Sequence, residues 1–150
     1  MDTIRLVHAK LHRVVTTECR KDYVGSISID ERWLRSSGIL PLEEVHVCNV
    51  TNGSRFVTYA LPAPSGSCVI APNGACAHLC SPGDVLIIFS FTEKSRQQVL
   101  AEGHRAKVLI FGDGGAEAEL QYQDLVVKGD GSFGLFIESA EEAIVLSPVA

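Results

Sequence analysis

The chain has 150 residues, enough for one domain with a single core and little else. It is 46% hydrophobic and 21% charged, and no apolar run approaches the eighteen or so residues of a membrane span, so it reads as globular with no transmembrane segment. Eighteen acidic residues against thirteen basic ones give a formal net charge of −5, which speaks against nucleic acid, whose phosphates need clustered positive charge.

Met1-Asp2-Thr3-Ile4-Arg5 lacks the basic start and apolar stretch of a secretory signal. The five cysteines (Cys19, Cys48, Cys68, Cys76 and Cys80) are odd in number and irregular in spacing, which argues against a disulfide framework and for a reducing, cytoplasmic setting. Cys76, His78 and Cys80 have no second ligand pair elsewhere, so no metal site is expected.

In chain order, Ile4 to Thr17 is rich in β-branched residues and reads as a strand, and Ser26 to Ile29 alternates at period two. Asp30 stands where a helix N-cap belongs and Gly38 where a C-cap belongs, so Glu31 to Ser37 reads as a short helix. Val45 to Val50 and Phe56 to Leu61 are strands joined at Asn52-Gly53, a pair that suits a tight hairpin turn with two positive φ angles. Pro62 to Gly66 reads as a loop, Cys68 to Ala71 as a short strand and Asp84 to Phe91 as a long one. Lys94 to Gly103 reads as a helix and Lys107 to Phe111 as a strand. Hydrophobic density then drops: Lys128 to Ser132 reads as a flexible connector, and Ser139 to Leu146 as a short helix capped by Ser139 with Glu142 three residues on. Many short strands with turns at close spacing imply a small β-barrel.

Three motifs go beyond class. Tyr23-Val24-Gly25-Ser26, then Asn52-Gly53-Ser54-Arg55-Phe56-Val57-Thr58-Tyr59, then Asn73-Gly74-Ala75 occur in that order, with Lys10-Leu11-His12-Arg13 before them and Gly83-Asp84 after. Together they resemble the pyruvoyl-dependent aspartate 1-decarboxylases over about residues 4 to 92. The resemblance implies a mainly β fold, a small double-psi β-barrel with short helices, spanning residues 1–125, followed by an acidic extension over 126–150. It also implies a homotetramer with active sites between subunits, cytoplasmic, making β-alanine from L-aspartate for pantothenate and coenzyme A synthesis, with no nucleic-acid or membrane partner.

The resemblance further implies that the chain cuts itself between Gly25 and Ser26 into 1–25 and 26–150, Ser26 becoming a covalent pyruvoyl group. That group is the electron sink that pyridoxal phosphate provides in other decarboxylases. A serine hydroxyl needs help to act as a nucleophile, and a preceding glycine leaves the carbonyl uncrowded. By the same resemblance Tyr59 is the general acid, Thr58 contacts the site, and Asn73, Gly74, Ala75 and Cys76 form a turn whose amides hold substrate. Arg55 suits the carboxylate that stays, and Lys10 supplies a second positive charge.

Two departures stand out. Cys48 takes the place of a family tryptophan and Cys76 that of an alanine, which reshapes the pocket if both face it. Two other readings follow: a decarboxylase diverged to another acidic amino acid, or an uncleaved barrel serving as a binding module.

Overall fold

The computed structural model describes residues 2–115, 117–140 and 144–145. Ten strands and two short helices follow one another as β1 (Thr3–Val15), β2 (Ser26–Asp30), α1 (Glu31–Ser37), β3 (Glu44–Asn49), β4 (Arg55–Ala63), β5 (Ile70–Asn73), β6 (Val85–Ser95), α2 (Arg96–Glu102), β7 (His104–Phe111), β8 (Glu117–Val127), β9 (Phe133–Ser139) and β10 (Ile144–Val145). A 3₁₀ turn over Gly74–Leu79 follows β5.

Strand neighbours run β10-β8-β7-β1-β6-β3-β4-β2-β5, with β9 also on β8. The segment after β1 closes the ring. Thr17 N–H donates to the Ile70 carbonyl at 2.8 Å, Arg20 N–H donates to the Pro72 carbonyl at 3.0 Å, and Arg20 forms a parallel bridge with Asn73. The staves β1, β6, β3, β4, β2 and β5 thereby make a closed, mainly β barrel, the class expected from the strand spacing. Two pairings within this antiparallel fold are parallel, β1 with β7 and β2 with β4. Inside lie Leu11, Ile27, Ile29, Ile70, Leu86, Ile88 and Leu109, all fully buried.

Local chemistry sets the element ends. The Asp30 side chain accepts from Arg32 N–H at 2.9 Å to start α1, and Gly38 ends it at φ 84° with its N–H on the Leu34 carbonyl. The β3–β4 connection differs from the tight turn that Asn-Gly suggests. It spans residues 50–54, and only Gly53 takes positive φ (80°), because the Asn49 side chain captures the N–H groups of Thr51 and Asn52. Strand β6 runs on to Ser95, which caps α2 by accepting from Gln98 N–H, so the helix begins two residues later than periodicity suggests.

The C-terminal third holds more strand than its composition indicates. Lys128 to Ser132 is a tight hairpin turn: Lys128 N–H donates to the Ser132 carbonyl, and Asp130 accepts from Ser132 N–H. Ser139 ends β9 and Ile144–Val145 pair with β8, so these residues are strand where a helix was expected; residues 141–143 and 146 of that expected helix lie outside the described residues. No helix among the described residues is long and apolar enough to cross a membrane.

Candidate active site

Ser26 opens β2 with no exposed surface, directly after an exposed loop over residues 21–25. Its Oγ donates to the Val24 carbonyl at 3.3 Å and accepts from Asn73 Nδ2 at 2.9 Å. The same Asn73 amide donates to Ser28 Oγ at 3.0 Å, while Asn73 Oδ1 is buried with no hydrogen-bond partner. The contact follows from register, since Ser26 and Asn73 face each other across β2 and β5.

Gly74 locks this loop from beneath. It sits at φ 70°, and a Cβ there would lie 2.8 Å from Gly25 Cα and 2.9 Å from both Gly25 N and the Tyr23 carbonyl oxygen. Only a residue without a side chain lets the two backbones meet this closely. Gly74 N–H donates to the Arg20 carbonyl at 2.8 Å, so of the Asn73-Gly74-Ala75-Cys76 turn the amides left for a ligand are those of Ala75 and Cys76, at the start of the 3₁₀ turn. Ala75 is exposed and Cys76 half-buried.

Tyr59 stands one residue before Ala60 on β4 as Ser26 stands one before Ile27 on β2, and Ile27 pairs with Ala60. Ser26 therefore lies between Tyr59 on one side and Asn73 on the other. Half-buried Tyr59 and Thr58 line an open cavity of about 450 Å³ with Leu42, Glu44 and Val57. Thr58 pairs with buried Val45 and Tyr59 with exposed Glu44, so the two side chains take opposite faces of β4.

Lys10 and Arg55 share the outer face with Tyr59 but not its neighbourhood. One row across the sheet reads Lys10–Phe89–His46–Val57, and the next reads His12–Ile87–Cys48–Arg55. With roughly 4.8 Å between strands and 3.4 Å per residue, Lys10 lies roughly 16 Å from Arg55, and Tyr59 roughly 14 Å from Arg55 along its own strand. Within one chain the structure brings together Gly25, Ser26, Asn73, Gly74 and the Tyr59 strand, while Lys10 and Arg55 stand apart.

The surroundings disfavour the charged forms of His12 and Cys80. Burial, then Lys10 and Arg13, lowers the His12 pKa below its ordinary 6.5, and His12 Nδ1 is buried without a partner. Burial, then Cys19, pushes Cys80 up to about 11, so it acts as a packing thiol behind the turn. Sequence reasoning passed over Ser28, which shares the Asn73 amide, and His46, which stacks on Phe89 in the middle of the outer face. It gave no role to Asn49 or to the Asp84 of the Gly83-Asp84 motif, which are joined side chain to side chain at 2.8 Å and tie the β3 end to the loop before β6. The β2 alternation carried a signal for Ser28; nothing local marks His46.

The aspartate decarboxylase family profile matches residues 2–118. The chain belongs to the aspartate decarboxylase family. It is 50% identical over 131 residues to the aspartate 1-decarboxylase of Synechocystis sp., covering 87% of this chain and 90% of that one. Identity to the aspartate 1-decarboxylase of Microcystis aeruginosa is 51% over 131 residues, 87% of this chain and 93% of that one. The Caulobacter vibrioides aspartate 1-decarboxylase is 42% identical over 111 residues, 74% of this chain and 92% of that one. As a member of the aspartate decarboxylase family, which is pyruvoyl-dependent, the chain is a lyase that decarboxylates aspartate.

Proposed function

We propose that this chain is a self-processing L-aspartate 1-decarboxylase that cuts itself between Gly25 and Ser26. The observation that carries the reading is Ser26 held by Asn73 under a loop pressed onto Gly74, one strand from Tyr59. In the cut, Ser26 Oγ attacks the Gly25 carbonyl carbon and the C–N bond breaks, leaving an ester and a free amine at residue 26. Loss of the Ser26 α-proton then expels the Gly25 carboxylate, and water replaces nitrogen, releasing ammonia. Asn73 fixes Oγ in place for the first step, and the exposed 21–25 loop leaves room for the departing end.

Residue 26 fits the group such chemistry leaves, because the Asn73 Nδ2 that now donates to Ser26 Oγ at 2.9 Å would donate equally to a ketone oxygen there. A pyruvoyl group there supplies a ketone that withdraws the electron pair released as carbon dioxide leaves. The chain's own side chains do the rest. Arg55 pairs with the carboxylate that stays, Lys10 adds positive charge, the Ala75 and Cys76 amides face the one that leaves, and Tyr59 delivers a proton to the product carbon.

Lys10, Arg55 and Tyr59 are spaced too widely on one face to meet a single aspartate. A homotetramer with sites between subunits reconciles them, each site drawing on two copies of this face. The half-buried Ile87, Phe89 and Phe91 give that face an apolar middle. The β-alanine product and a cytoplasmic place in pantothenate synthesis follow the same reading, with residues 1–125 as the catalytic unit and 126–150 as an appended segment.

Intact mass under denaturing conditions tests the reading. Fragments of residues 1–25 and 26–150 are expected, the larger one lacking a free amine; a lasting single 16.2 kDa species overturns it and leaves the binding-module reading. One observation favours a second substrate reading: Cys48 stands in register beside Arg55, where a small side chain leaves room for a longer acid. Carbon dioxide release from aspartate, glutamate and cysteine sulfinate separates the two.

A further inference from the structure

Strand β9 is built unlike the rest of the molecule. Phe133 and Leu135 are each 67% exposed, Ile137 61% and Phe136 52%, whereas on the barrel strands Val57, at 53%, is the one comparably exposed large apolar side chain among the described residues. Its inner edge pairs with β8 from Phe133 opposite Val127 to Ser139 opposite Gln121. Its outer edge has no partner strand among the described residues. Exposed edges are ordinarily guarded by lysine, proline, a bulge or an inward charge. Residues 133–137, Phe-Gly-Leu-Phe-Ile, contain none of those residue types, and they are in continuous register with β8.

Among the described residues β10 pairs with β8 at Ala118 and Glu117, short of the Gln121–Ser139 end of the hairpin, so no described strand covers this edge. The strand begins after residue 118, where the family profile ends.

We infer that β9 is a self-association edge, pairing antiparallel with β9 of a second copy about a two-fold axis near Leu135. A foreign partner read by charge finds little to read, because Glu138 is the one charged residue of β9 and residues 133–137 are uncharged. A second copy needs no charge, since an isologous contact asks only for self-complementarity. Phe133, Leu135 and Ile137 lie on one face, symmetric about Leu135, so pairing centred there sets Phe133 of each copy against Ile137 of the other, an aromatic with a β-branched side chain. The outer backbone N–H and C=O groups of both strands then find partners together. Phe133 also rims an apolar notch of about 120 Å³ with Leu6, Val99, Leu100 and Leu125, so the pairing would extend an existing apolar surface.

A cysteine scan of the full chain tests this. Single replacements Phe133→Cys, Gly134→Cys, Leu135→Cys, Phe136→Cys and Ile137→Cys are treated with diamide, which oxidises two thiols to a disulfide and is itself reduced to the hydrazine. Covalent dimers are read on denaturing gels without reductant, against the wild-type chain with its five native cysteines. Each variant is first confirmed folded by circular dichroism. A dimer yield several-fold above wild type, peaking at Leu135 and falling on either side, supports the pairing. Yields equal to wild type at all five positions overturn it, as does a flat profile, which marks random collision. The readout does not involve turnover, so it stands or falls apart from the decarboxylase reading.

Discussion

At one end of β2 the Asp30 carboxylate accepts from Arg32 N–H, Cys68 N–H and Gly66 N–H and from the Arg32 guanidinium, with no surface exposed. At the other end, four residues away and equally buried, Ser26 relies on one amide that it shares with Ser28, and that amide's oxygen is left with no partner. The first cluster is saturated, and a saturated buried network fixes structure. The second keeps an acceptor in hand and a backbone contact that only Gly74 permits, the arrangement expected where bonds are to be remade. The Asp30 end anchors the strand, and under the proposed function the Ser26 end is the one left for chemistry.

Substitutions at the two ends should therefore fail differently. Ser26→Ala is expected to abolish cleavage and turnover together while leaving thermal stability within about 1 kcal/mol, read by mass and calorimetry; a cleaved Ser26→Ala chain would remove Ser26 from its role. Tyr59→Phe should cleave normally yet lose about 10²–10⁴ in turnover, the usual worth of a positioned acid, and normal turnover would take the proton transfer away from Tyr59. Asp30→Asn should do the reverse, costing about 3 kcal/mol by breaking a buried pair, with the melting temperature down by roughly 10 °C.

The Asp30 end also carries an acid signature. Burial pushes Asp30 up, but the Arg32 hydrogen bonds and the backbone N–H groups outweigh it and hold the carboxyl below its ordinary 3.8. Its contribution is thus complete above pH 3.8 and lost as pH falls through the lower folded value, and Asp30→Asn should flatten stability against pH in that acid window alone. The smallest expected effect is that of His12. Because its folded pKa is lowered, stability should sag as pH drops below 6.5, and His12→Gln should remove the sag in a chemical-denaturation series.

How far the sequence reveals all this depends on range. The Asp30 cap, the α1 helix and the Gly38 stop are local and were legible from residue types alone. The Gly25-Ser26 and Asn73-Gly74 motifs were legible as motifs, but that Asn73 reaches Ser26 is a matter of β2–β5 register, set by the whole core. Asn49 shows the limit of local rules, since its side chain takes the N–H groups that would otherwise have shaped the Asn52-Gly53 turn. Strands β8 and β9 escaped notice because β8 is half-buried along most of its length and β9 exposed on both faces, so neither has reason to alternate. The spread of Lys10, Arg55 and Tyr59 across four strands could not be read at all, since spacing along the chain says nothing of spacing across a sheet.

The stave β1 carries a final consequence. It pairs along its length with β6 and also with β7, and the residues after it seal the barrel against β5. All of it lies on the amino-terminal side of Gly25-Ser26. With the proposed cut made there, the matured protomer would be a two-component complex whose smaller component supplies a wall of its container. Unfolding then releases two molecules where the precursor releases one, so the mature protein's melting point should rise with concentration by mass action even within a single barrel.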